Sequence, residues 1–195
     1  MTTTATTVTT ATAIPTGTWV LDPTHSDIGF TVRHIMSKVR GHFTEFDGAI
    51  VTGQELADGS ARVEVKLSSI DTRSQQRDDH LRSSDFFDVD TNPTMSFEST
   101  SVQDHGDGRV VFTGDLTIKG VTRALDLEVE VLGVGKDPWG ATRIGVEGSG
   151  EISRKDFGID FNIPLEGDKV MIGDRITLVI AAEAVLQQDE AAAGA

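Results

Sequence analysis

Between Arg62 and Ser68 polar and apolar residues alternate without a break, with Val63, Val65 and Leu67 on one side and Arg62, Glu64, Lys66 and Ser68 on the other. A period of two is the signature of a strand with one buried face. The same alternation recurs in Ile28, Phe30 and Val32, in Val110, Phe112, Gly114, Leu116 and Ile118, in Leu125, Leu127, Val129 and Val131, and in Ile176, Leu178 and Ile180. Trp19 to Leu21 opens the first strand, and the one that starts at Ile28 is expected to continue through Val39 and Phe43. Asp58-Gly59, Gly106-Asp107-Gly108, Lys119-Gly120 and Asp137-Pro138-Trp139-Gly140 supply turns. Eight or nine strands joined mainly by short turns predict an antiparallel, up-and-down all-β fold.

Interior glycines at Gly114, Gly145, Gly148 and Gly150 suit strands that bend sharply or let something approach the backbone, which favours a barrel over a sandwich. A barrel of about eight strands is wide enough to hold one small ligand. The expected architecture is therefore an eight-stranded antiparallel, lipocalin-like barrel with a short helix closing one end. That helix is expected at Gln75 to Arg82, with Ser74 as its N-cap and Asp78 and Arg82 four apart on one face. It lies in the densest polar stretch of the chain, Thr72 to Asp88. One domain is expected over residues 17–187, between a threonine-rich disordered tail at 1–16 and a frayed tail at 188–195.

If each apolar strand face points inward, the lumen is built from Phe30, Val32, Phe43, Val65, Leu67, Phe97, Phe112, Leu116, Leu127, Val129, Ile144 and Val146, with Leu81 and Phe86 added by the lid. The same side chains would equally fill a dry core. Arg77, Asp78 and His80 are the candidates for gripping a polar head group, or for pinning the helix across the barrel end, and Arg33 joins them. His25 beside Ser26 reads as a hydrogen-bonded structural histidine.

The composition removes several functions. There is no cysteine, so neither a disulfide framework nor thiolate chemistry is available. A net charge of −14 argues against nucleic acid, or an anionic membrane surface, as the main partner. The window from Ile28 to Thr44 runs against the total: it carries no acid, and Arg33, Lys38 and Arg40 stand beside His34 and His42. Such a window suits an anionic head group, or an edge strand protected by charge. No apolar run is long enough to span a bilayer, and the uncharged, threonine-rich start has neither the basic nor the apolar region of a secretory signal, so a cytoplasmic location without stable membrane insertion is expected. The histidines lack metal-site spacing, Gly148-Ser149-Gly150 is not a nucleophile elbow, and the glycine runs near Gly133 and Gly145 do not fit a dinucleotide loop. No catalytic residue and no metal ligand is assigned. The alternatives left open are a metal-assisted hydrolase or isomerase using the His/Arg/Asp cluster, and a ligand-free stress-response dimer.

Five ordered blocks resemble the YceI family of lipocalin-like, polyisoprenoid-binding proteins. They are Trp19 to Phe30 with His25-Ser26; Gly41-His-Phe43-Thr-Glu-Phe46-Asp-Gly48; Arg77-Asp-Asp-His80-Leu81 through Asp85-Phe86-Phe87-Asp88; Gly114-Asp-Leu116-Thr-Ile118-Lys-Gly120-Val-Thr122; and Arg154-Lys-Asp156-Phe157-Gly158. Asn92 before Pro93, where the family often has an aromatic residue, departs from the pattern. The resemblance implies a barrel that holds a long apolar chain, often as a homodimer, and does not imply an enzyme. The bound molecule would be a hydrophobic small molecule, an isoprenoid, quinone or fatty-acid-like lipid, with no further cofactor.

Overall fold

The structure, a computed structural model, describes residues 14–165 and 170–187. The expected tails therefore fall almost wholly outside the described residues. The elements in chain order are β1 (Gly17–Leu21), β2 (Asp27–His34), β3 (Ser37–Phe43), β4 (Phe46–Thr52), β5 (Ser60–Lys66), β6 (Ile70–Asp71), α1 (Gln75–Arg82), β7 (Thr94–Asp104), β8 (Arg109–Ile118), β9 (Val121–Lys136), β10 (Thr142–Ser153) and β11 (Ile172–Leu186).

Hydrogen bonding closes on itself in the order β1, β4, β5, β7, β8, β9, β10, β11, because β1 pairs with both β4 and β11. That cycle is the eight-stranded antiparallel barrel. β2, β3 and β6 continue the wall at one end: β2 lies on β11, β3 on β2, and β6 on β3. They arise because the first strands are broken part-way along. Between β1 and β2, Pro23 starts a 3-10 turn whose Thr24 N–H donates to the Asp22 carboxylate at 3.0 Å. A second 3-10 turn at Leu67–Ser69 separates β5 from β6.

The strand that starts at Ile28 does not run on to Phe43. It reverses at Ile35-Met36, with Arg33 opposite Lys38 and His34 opposite Ser37. No glycine, asparagine or proline marks this reversal, and Ile35 takes a left-handed φ of 53° to make it. Elsewhere the alternation transfers directly: along β8, Val110, Phe112, Gly114, Leu116 and Ile118 are buried, and the residues between them are not. Gly114 is required, since a Cβ there would sit 2.6 Å from the Phe97 ring and 2.5 Å from a backbone oxygen. Gly41 likewise leaves room for the Phe30 ring. Both glycines let a phenylalanine lie flat along the inner wall.

Candidate ligand cavity and its mouth

Two apolar cavities lie inside the barrel. The wider, about 590 Å3, opens beside α1, and its wall takes Phe30 and Val32 from β2, Phe43 from β3, Leu81 from α1, and Phe86 and Phe87 from the turn after it. The deeper one, about 130 Å3, is walled by Val65, Phe97, Phe112, Leu116, Leu127, Val129 and Val146. Phe43, Met95, Ile118 and Leu178 border both, so the two spaces adjoin along the barrel axis.

Twelve of the fourteen side chains expected in the lumen therefore face one cavity or the other. Leu67 and Ile144 do not. Both are fully packed, at 0% and 2% exposure, in the cluster that contains Trp19. Leu67 has entered the 3-10 turn where the alternation stops, and Ile144 lies near the far end, opposite Ala184 of β11.

The polar candidates divide. Arg77 and His80 line the wider cavity with Ser74 and Gln76. Asp78 is buried behind the helix, where it accepts from Thr72 N at 2.9 Å and Thr72 Oγ1 at 2.5 Å. Arg77 donates to Thr72 Oγ1 and to Thr72 O, both at 2.7 Å, so Arg77 and Asp78 are joined through Thr72 and not to each other. Asp78 also does not pair with Arg82. That arginine donates to Ser68 O and Ile70 O at 2.8 Å and to Asp79 at 3.1 Å, tying α1 to the β5–β6 turn. The Ser74 hydroxyl makes no capping bond. Arg33 is exposed, and its Nε donates to Ile35 O at 3.4 Å, away from the cavity.

His80 hydrogen-bonds Asp85 at 2.9 Å and presents its ring edge-on to Phe86 and Phe161, at 5.0 and 4.8 Å between centroids. It thereby joins the helix to the connection that follows β10. Phe157, Ile159 and Phe161 of that connection wall the wider cavity, and Arg154, only 4% exposed, fixes it by donating to Ile159 O at 2.7 Å, Phe161 O at 2.8 Å and Asp174 at 3.1 Å. Sequence reasoning placed none of these four in the site, because an irregular link has no periodicity to read. The strand alternation points Ile118, Ile176 and Leu178 inward, and they too line the wider cavity, beyond the expected set.

The opposite end is held by charge. Arg143 Nη1 donates to Asp22 at 2.7 Å and Glu183 at 3.2 Å, and its Nε donates to Asp137 at 2.9 Å. The Arg143 guanidinium, with His25 second, holds the Asp22 carboxyl well below the usual carboxylate range, and Asp137 is lowered by the same arginine. His25 bonds Asp22 at 2.8 Å, while Ser26 exchanges hydrogen bonds with the Glu183 backbone. Among the described residues no group of three His, Asp or Glu side chains is placed to hold a metal ion.

The model of the YceI-like domain matches residues 19–184, which spans both cavities and the mouth. The chain belongs to the YceI-like family. A UPF0312 protein of Shewanella denitrificans is 40% identical over 156 residues, covering 78% of this chain and 82% of that protein. One of Photorhabdus laumondii is 44% identical over 135 residues, covering 68% and 70%. The Campylobacter jejuni YCEI crystal structure is 32% identical with a TM-score of 0.68, covering 86% of this chain and 97% of its own. A polyisoprenoid binding domain from Saccharophagus degradans, implicated in plant cell wall breakdown, matches with a TM-score of 0.66 at 16% identity over 89% of this chain and all of its own, a likeness of fold.

Proposed function

We propose that this YceI-like barrel binds, without catalysis, one elongated apolar molecule of the polyisoprenoid, quinone or fatty-acyl class, for storage or transport. The observation that carries the reading is the pair of adjoining apolar cavities, about 590 and 130 Å3, open at one end beside a helix that brings Arg77 and His80 to the rim. Burying about 15 methylene-sized units at roughly 0.8 kcal/mol each gives about 12 kcal/mol before association costs, enough for micromolar binding with few polar contacts. The tail would run toward Phe112 and Leu127, and a polar head would stay near Arg77 and His80. The ligand named for the Saccharophagus domain, on the same fold, is of this chemical class.

Organic extraction of the purified protein followed by mass spectrometry, and titration of the stripped protein with farnesol, test the reading. A stoichiometric lipid or saturable farnesol binding is expected. An empty protein that takes up neither farnesol nor a short-chain quinone overturns it. A homodimer belongs to the same proposal, and sedimentation equilibrium measures it.

A further inference from the structure

The β2–β3 reversal is built against local preference. A two-residue hairpin with positive φ at its first central position favours glycine there, because a β-branched side chain in the left-handed region clashes with its own backbone. Ile35 occupies that position, and Met36 follows at 93% exposure. An edge strand protected by charge accounts for Lys38 and Arg40 on β3, which from Ser37 to Gly41 pairs, among the described residues, with β2 alone. It does not account for a strained isoleucine and a methionine held out in water.

The tip is not isolated. Ile35 N–H donates to Met171 O at 2.8 Å, Met171 N–H donates to Ile163 O at 3.0 Å, and Pro164 bridges Val170. Ile163 and Val170 are themselves exposed, at 45% and 48%. Four exposed apolar side chains thus sit on hydrogen-bonded neighbouring backbone, beside His34, Met171 and Ile172 of the wider cavity's wall. Arg33 and Lys38 face each other two residues behind the tip, about 7 Å along the strands, and both are exposed.

We infer that this tip is a docking surface for an anionic lipid bilayer: Ile35, Met36, Ile163 and Val170 enter the head-group region while Arg33 and Lys38 meet lipid phosphates. The net charge of −14 does not forbid it. At physiological ionic strength screening acts over about 8 Å, so the bilayer responds to the charge at the tip and hardly to acids at the far end. The same connection also carries Glu166, Asp168 and Lys169, outside the described residues, a net of one negative charge in sequence against the two positive charges of Arg33 and Lys38. Apolar tips flanked by cations are the composition that holds proteins at membrane interfaces. The surface rests on the lipid-binding reading only for its purpose, which is to bring the cavity mouth against a source of ligand; the docking itself needs no ligand.

Flotation of the stripped full chain with phosphatidylcholine vesicles, with and without phosphatidylglycerol, tests docking separately from the cavity. Binding to the phosphatidylglycerol vesicles that weakens with salt is expected, and Met36→Asp and the pair Arg33→Glu/Lys38→Glu should each reduce it about tenfold or more. Ile35→Gly keeps the variant set interpretable: it should raise the unfolding midpoint by relieving the turn and still weaken vesicle binding. No flotation, or flotation indifferent to phosphatidylglycerol and to these substitutions, overturns the inference. So does a dimer that Met36→Asp dissociates while vesicles fail to bind, which would make the tip a contact between copies. Farnesol binding is read independently, so a failed vesicle assay leaves the cavity reading standing, and a failed farnesol titration leaves docking standing.

Discussion

At the far end of the barrel Trp19 is wholly buried, its Nε1 donates to Thr52 Oγ1 at 2.9 Å, Ile144 and Ala184 belong to the same packed cluster, and Arg143 ties three chain segments through Asp22, Asp137 and Glu183. At the mouth an eight-residue helix with one buried side chain, the polar Asp78, lies across a cavity of about 590 Å3, and edge-on aromatic contacts and an exposed His80–Asp85 pair link it to its surroundings. The two ends share strands and hydrogen-bond ladders, so the difference between them is in side chains. One end spends its apolar residues on packing. The other leaves them lining space, the arrangement that the proposed ligand site requires.

Trp19→Ala should therefore cost most, about 3 to 5 kcal/mol in a urea titration, because Trp19 is wholly buried and its removal leaves a large hole in a packed cluster. A loss below about 1 kcal/mol would mean the far end is as loosely filled as the mouth. Met95→Trp acts between the two spaces, since Met95 borders both cavities. The larger ring has space to enter, so it should occupy the neck between the cavities and shorten the chains recovered by extraction. Chains of unchanged length would show that the ligand does not pass Met95.

Arg143→Ala sharpens the electrostatic side of the contrast through pH. Asp22 and Asp137 have lowered pKa values when folded, so the stability they contribute is present above the ordinary carboxylate pKa of about 3.9 and is lost as pH falls through the depressed folded values. Without Arg143 that contribution is missing at neutral pH already. The unfolding midpoints of wild type and variant should thus differ most near pH 7 and converge below about pH 4. A gap that widens on acidification would refute the assignment.

The ends also differ in how far they can be read from the chain. Regular strands such as β8 disclose their inner face residue by residue, because each side chain two positions on returns to the same side. The breaks do not. Nothing in Ile35-Met36 announces a turn, and Leu67 continues the alternation in sequence after the backbone has left the strand. The mouth is made largely from such places: Arg154, Phe157 and Phe161 come from a connection whose path is set by hydrogen bonds to distant carbonyls. Arg77 and Asp78, adjacent in the chain, read as an Arg–Asp pair that satisfies itself, and in the structure each bonds something else. That the something is Thr72, shared by both, depends on the helix sitting where Arg82 fastens it.

The smallest expected effect tests whether the mouth moves. His80 joins α1 to Phe161 across the opening, but its side chain is 43% exposed and its bond to Asp85 is a surface pair, worth about 0.2 to 1 kcal/mol at most. His80→Ala should accordingly leave the urea midpoint within about 1 kcal/mol of wild type. The contacts it removes are the ones that bridge helix and connection, so release of bound farnesol, followed by displacement, should quicken while the unfolding transition hardly shifts. Unchanged release with unchanged stability would make the helix a fixed wall and place the exit elsewhere. A destabilisation approaching that of Trp19→Ala would show that the mouth is packed like the far end, and the contrast between the two would fail.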